Sequence, residues 1–116
     1  MTTSKSSLPV LLVTLGDPAG VGPEVTVRGV AEELSKGRVT PVVVGDARIV
    51  RRAADRWTPE LTVNAIESPR DADAGSNIIN VLDLANCDPE DFEFGEIAAY
   101  TGNAAYEYVV RAAELC

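Results

Sequence analysis

Residues Thr14 to Glu24 read TLGDPAGVGPE, and the carboxylate of Asp17 is set there among three glycines and two prolines. An apolar run, Leu8 to Leu15, precedes this segment and an amphipathic stretch follows it directly. The order is strand, tight loop and helix start, the place where open α/β sheets put ligands. Glycines at 16, 20 and 22 allow positive φ and close backbone approach. Pro18 fixes one φ, and Pro23 suits a first helical position, where its missing N–H goes unneeded. Glu24 then puts a negative charge in the first turn, where the helix dipole favours it. The spacing G-x-x-x-G-x-G departs from the dinucleotide fingerprint and lacks the Lys-Ser/Thr that closes a P-loop. Asp17 argues further against a bare phosphate cradle. A carboxylate ~4 Å from a phosphate costs about 1 kcal/mol in water and about 4 kcal/mol at an effective dielectric of 20. A hydroxyl, an ammonium or a metal-bridged group suits it better. The plainer reading is that the loop is only an efficient strand-to-helix connection.

Other reactive side chains are few. Histidine is absent from all 116 residues, so no imidazole-based metal site, dyad or triad can be built from this chain alone. Two cysteines, Cys87 and Cys116, are too few and too far apart for a disulfide framework or a zinc site, and a reducing cytoplasm is the simpler setting. Arg48, Arg51, Arg52 and Arg56 form a basic cluster at helical spacing. It reads as a solvated face, with contact to an anionic ligand or partner as the alternative.

Charge is unevenly distributed. Residues 1–58 carry 8 bases and 6 acids, whereas residues 59–116 carry 2 bases and 12 acids, for a net charge of −8 over the whole chain. That balance excludes nucleic acid as an expected partner, because a phosphate backbone demands a basic footprint. The apolar run at Leu8 is too short to span a membrane and has no cleavage site after it, so neither an anchor nor a signal peptide is expected.

The length suits one small domain, with 1–7 a loose terminus and 8–116 the folded part. Aromatics are only 5%, so the core should be Val, Ala, Leu and Ile, as in a buried parallel sheet. After the loop, Val27, Val30, Ala31 and Leu34 mark a helix that stops at Gly37, and Gly29 within it hints at close packing on the sheet. Pro41 to Val44 predicts a strand with proline at its start, and Asp46 caps a second helix. Ile49, Val50, Ala53, Ala54 and Trp57 form that helix's inner face, and Pro59 ends it. Leu61 to Ile66 predicts a strand alternating Leu61, Val63 and Ala65 inward. The 67–77 stretch is a surface loop, Ile78 to Leu82 or Leu84 a further strand, and Cys87 to Gly95 an acidic loop. A long helix is predicted from Glu96 to Leu115, with Ile97, Ala104, Ala105, Tyr108, Ala112 and Leu115 inward and Gly102 and Asn103 as soft spots. The pattern is α/β: three αβα layers around a mostly parallel sheet.

Taken together, TLGDPAGVGPE at 14–24, VVVGD at 42–46 and FGEIAAYTGNAAYEYVVRAAELC at 94–116 resemble the N-terminal part of the 4-hydroxythreonine-4-phosphate dehydrogenase family. The likeness runs from about Val10 to the end of the sequence, and residues 47–93 match only in element order. It implies an incomplete fold like that of isocitrate and isopropylmalate dehydrogenases, here as a single partial domain. The implied protein is cytoplasmic and homodimeric, with NAD (or NADP) and a divalent metal as cofactors. It oxidises the secondary alcohol of a phosphorylated hydroxy acid, after which a β-keto acid can lose carbon dioxide. The metal acts as Lewis acid.

The family's metal-binding histidines, its substrate-phosphate contacts and its Gly-His-Thr motif match nothing in this sequence. No catalytic or metal-binding position carries over, and neither cofactor site is complete here. The glycine loop does carry over. In such a fold it faces the interdomain cleft, with Asp17, Gly20 and Gly22 as candidates for lining it. Tyr106 and Tyr108, within NAAYEY at 103–108, read as packing residues.

Two alternatives remain beside an oxidoreductase. One is a non-catalytic acidic α/β binding module, which the missing histidines and the acidic second half favour. The other is a phosphate-binding half-domain working through the helix at Pro23, which Asp17 disfavours. A sheet cut short would also leave bare edges and exposed apolar faces, prone to self-association.

Overall fold

A computed structural model describes residues 8–93 and 99–116. Strand β1 (Val10–Thr14) leads through the glycine loop into helix α1 (Gly22–Lys36). Strand β2 (Thr40–Gly45), helix α2 (Ala47–Trp57) and strand β3 (Thr62–Ile66) follow. Strand β4 (Ile78–Asp83) comes next, and helix α3 (Ala99–Leu115) completes the described chain, with single 3-10 turns at Pro69–Asp71 and Pro89–Asp91. The expected loose terminus, the residues 94–98 at the end of the acidic loop, and the predicted helix start at Glu96 with Ile97 lie outside the described residues.

The four strands form one parallel sheet in the order β1-β2-β4-β3. Right-handed crossovers from β1 to β2 and from β2 to β3 put α1 and α2 on the same face, where they pack against each other. The extensive contacts of α3 are instead with β1 and β2, so it covers the opposite face and completes three layers. All of β2 is buried and β4 nearly so, whereas β1 and β3 are half-exposed. The core is built around Val27, Val30, Val42, Val43, Val44, Ile49, Val50, Ile79 and Val81, with two aromatics, Phe92 and Tyr108. Branched side chains buried on both faces are what a parallel sheet requires.

Buried Asn80 in the middle of β4 ties the edge strand β3 to the loop that follows it. Its Oδ1 accepts from Asn64 Nδ2 at 3.0 Å and from the Asp73 N–H at 2.8 Å, and its Nδ2 donates to the Asp73 carbonyl at 2.7 Å.

Several expectations need correction. Gly29 meets no atom within 4 Å of an added Cβ, so it lies on the exposed side of α1 and makes no close packing contact. Trp57 falls on the rim of α2, 39% exposed, because Arg28 and Arg56 hold its ring from outside at 5.4 and 4.9 Å. Ala65 is exposed and Ile66 buried, so the inward alternation of β3 breaks at its end. Tyr106 is exposed while Tyr108 is fully buried, since residues two apart lie on different faces of a helix. Pro41 is the second residue of β2, after Thr40, whose N–H bonds the Pro9 carbonyl at 2.8 Å. Gly102 and Asn103 do not interrupt α3. Gly37 does end α1, at φ +67°, its N–H bonding the Glu33 carbonyl.

Candidate functional site

Two strand-to-helix connections lie side by side at the carboxyl end of the sheet. In the first, Leu15 extends the ladder beyond β1, its N–H donating to the Val44 carbonyl at 3.1 Å. Its buried side chain rests on Gly45, where an added Cβ would come within 2.9 Å of Leu15 carbons. Gly16 turns the chain at φ +80°. Asp17 then closes a small turn, its Oδ1 accepting from the Ala19 N–H at 2.8 Å and its carbonyl from the Gly20 N–H at 3.0 Å. Pro18 and Ala19 are buried beneath it. Helix α1 starts at Gly22, one residue before Pro23, with Val21 at the cap position and no side-chain cap.

The three glycines therefore do different things. Only Gly16 needs positive φ. Gly22 sits where a Cβ would lie 2.5 Å from the Leu15 carbonyl oxygen, so its bareness lets the helix start against the strand end. Gly20 has only ordinary contacts, the nearest at 3.7 Å.

The second connection is built on Asp46, fully buried. Its Oδ1 accepts from the Arg48 N–H at 2.9 Å and Nε at 3.1 Å, and its Oδ2 from Arg48 Nη2 at 2.8 Å and the Cys87 N–H at 2.9 Å. The helix cap expected at Asp46 is present, and the same carboxylate also fastens the segment after β4. Burial pushes this carboxyl up, but the Arg48 guanidinium and the two backbone donors outweigh it and hold Asp46 below the ordinary carboxylate value. Arg48 is correspondingly raised. Asp83, at the end of β4, accepts from the Ala47 and Ala85 N–H groups at 3.0 and 2.9 Å. Sequence reasoning missed Asp83 and the anchoring of the Cys87 N–H on Asp46. The legible signal for Asp83 was an acid ending an apolar strand, as Asp46 follows β2.

Cys87 is buried and Cys116 exposed, both as free thiols. Burial, then the charge of Asp46, pushes Cys87 up to about 11, so it is a packed side chain and a poor nucleophile near neutral pH. Helix α3 is pinned to this segment by Tyr108, whose hydroxyl donates to Asn86 Oδ1 at 2.9 Å, and by Tyr100, whose hydroxyl accepts from the Asp88 N–H at 2.9 Å.

Of the three predicted cleft residues, Gly20 lines a cavity of about 330 Å³ together with Val21, Pro23 and Glu24. Its other wall is Arg52, Ala53, Arg56 and Trp57 of α2. Asp17, exposed on the loop, and Gly22, packed on Leu15, are not among its lining residues. Among the described residues no group of three His, Cys, Asp or Glu could hold a metal ion, and no helix is long and apolar enough to cross a membrane.

Over 108 residues the chain is 37% identical to a D-threonate 4-phosphate dehydrogenase from Cupriavidus necator, and over 109 residues 35% identical to a 4-hydroxythreonine-4-phosphate dehydrogenase from Trichlorobacter lovleyi. Each alignment takes in 93% of this chain and 32% of the relative, so the chain spans about a third of the length of the curated relatives it matches. The crystal structure of a 4-hydroxythreonine-4-phosphate dehydrogenase from Burkholderia phymatum superposes with a TM-score of 0.83 at 38% identity, over 93% of this chain and 32% of that one. No protein-family model matches the chain.

Proposed function

We infer that this stretch of chain, which belongs to the 4-hydroxythreonine-4-phosphate dehydrogenase family, forms the scaffold and one cleft wall of a dehydrogenase for a phosphorylated hydroxy acid. The observation that carries this reading is the match in sequence and fold across 93% of the chain. The glycine loop lies at the carboxyl end of a parallel sheet, where such folds bind ligands. There it offers the exposed carboxylate of Asp17, suited to a substrate hydroxyl or ammonium. Gly22 lets the backbone run close to the strand end, and Gly20 follows Asp17 on the same loop.

In that reading the enzyme uses NAD or NADP and a divalent metal, works as a homodimer and resides in the cytoplasm. The metal, when bound, supplies Lewis-acid polarisation of the reacting oxygen. The residues described here do not fit it: the chain has no histidine and no three-acid or thiolate cluster stands among them. What this chain's residues do is position: Asp46 and Asp83 together fix the start of α2, and Leu15 on Gly45 fixes the loop.

The purified 116-residue chain should give no NAD reduction with any divalent metal and a phosphorylated hydroxy acid, followed by absorbance at 340 nm. Measurable turnover by this chain alone would sink the division of labour. A continuing reading frame after Cys116 should carry Gly-His-Thr and further histidines.

A further inference from the structure

We propose that the outer face of α3 binds the same face of a second copy of this chain, the two helices lying antiparallel across a two-fold axis. Helix α3 carries two apolar stripes. One, centred on Thr101, Ala104 and Tyr108, is buried. On the opposite side Gly102, Tyr106, Val109, Val110 and Ala113 are all exposed, Tyr106 at 69% and Val109 at 55%. The last four are spaced by three, four and seven residues from Tyr106, and Gly102 lies four before it, so they form one continuous outward face. None of them is charged. The charged residues of α3, Glu107, Arg111 and Glu114, fall together on one flank, beside a groove of about 250 Å³ that opens toward Leu84. A helix apolar on two opposite sides is one built to lie between two layers, and only the inner layer is present here.

Charge and size point to a second copy as the occupant. Two copies related by an axis that crosses the helices near Val109 run antiparallel and keep their charged flanks on the same side. The same patch then meets itself, as a two-fold interface requires. Glu107 comes beside Arg111 of the second copy, and Arg111 beside its Glu107. Tyr106, the bulkiest outward side chain, meets the small Ala113 of the second copy, and Val109 meets its Val110. A parallel pair would put the charged flanks on opposite sides and lose the ion pairs. Within one chain Glu107 accepts from Asn86 at 3.1 Å and Arg111 reaches Glu114 at 3.5 Å. Both are exposed contacts of small worth, and a carboxylate and a guanidinium each have sites for further partners. One helix pair falls below the ~1,200 Å² of a standard interface, so the dimer is weak and concentration-dependent. The inference gives the homodimer of the dehydrogenase reading a place, but it rests on α3 alone: a monomer would overturn it and leave the assignment of chemistry untouched.

Sedimentation velocity of the full chain across the micromolar range tests this, with reductant present so that exposed Cys116 forms no cross-link. The expected result is a reversible monomer–dimer equilibrium. Val109→Lys should weaken association at least tenfold, and Tyr106→Glu should do the same. Both positions are exposed, and circular dichroism checks that each variant folds. Leu11→Lys, on the open edge of the sheet and 45% exposed, should associate as wild type. Glu107→Arg should weaken the dimer at least threefold, and Glu107→Arg combined with Arg111→Glu should recover it. Monomer at every concentration, or wild-type association in Val109→Lys and Tyr106→Glu, would overturn the proposal. Loss of the dimer in Leu11→Lys would move the contact to the sheet edge and overturn it equally. A double charge variant no tighter than Glu107→Arg would overturn the antiparallel arrangement.

Discussion

The connection after β1 and the connection after β2 do the same geometric job with opposite means. The first is built of backbone: glycines, two prolines, an exposed Asp17 and a helix with no side-chain cap. The second is built of one buried carboxylate, Asp46, that meets four donors from two segments. A carboxylate with its acceptor sites filled is spent on structure. Backbone that shapes a turn through bare glycines leaves its polar surface open to a ligand, which is why function is assigned to the first loop and stability to the second.

The largest effect expected from breaking this contrast is at Asp46. Asp46→Ala removes a buried charge from Arg48, a helix cap and the Cys87 anchor together, and should cost about 4 kcal/mol in urea unfolding. A cost near zero would remove the distinction between the two loops. Next comes the pair Gly22→Ala and Gly20→Ala. The first forces a Cβ into the Leu15 carbonyl and should cost about 2–3 kcal/mol. The second meets only ordinary contacts and should stay within about 0.5 kcal/mol, so equal effects would refute the separate roles given to the glycines.

Acid titration sharpens the contrast further. Asp46 is held below its unfolded value, so the unfolded chain takes up the proton first as pH falls. The stabilisation is complete above an unfolded carboxylate value of ~3.9 and is lost as pH drops through the native value. The gap between the unfolding midpoints of wild type and Asp46→Asn should therefore narrow as pH falls below about 4 and close once the native carboxylate is protonated, and a gap that stays constant through that fall would assign the stabilisation to something other than this charge. The smallest effect is on labelling. At pH 8 a thiol reagent should modify Cys116 in the native chain and leave Cys87 untouched until unfolding, as mass spectrometry of the two peptides would show.

Much of the architecture was legible in the sequence because its signals are local and redundant. Asp46 announces a helix start, Gly37 a helix end, and the unbroken Val42–Val44 run a strand buried on both faces. Errors fell where helical phase alone decided: Trp57 and Tyr106 are large and apolar, yet helix geometry puts them at a rim and on the outside. The candidate site was legible only as a loop. Asp83 and Cys87 act through partners distant in sequence, and no spacing within one segment encodes such meetings.

Asn80 bears on how the sheet avoids error. A parallel edge strand with a mixed polar and apolar face has little side-chain preference for one alignment. A slide of β3 past β4 by one residue would turn Asn64 away and take from buried Asn80 the one of its three hydrogen bonds that crosses to β3. The central amide thus acts as a key that only one alignment can turn, and misaligned intermediates should be discarded by unpaired polarity rather than by poor fit.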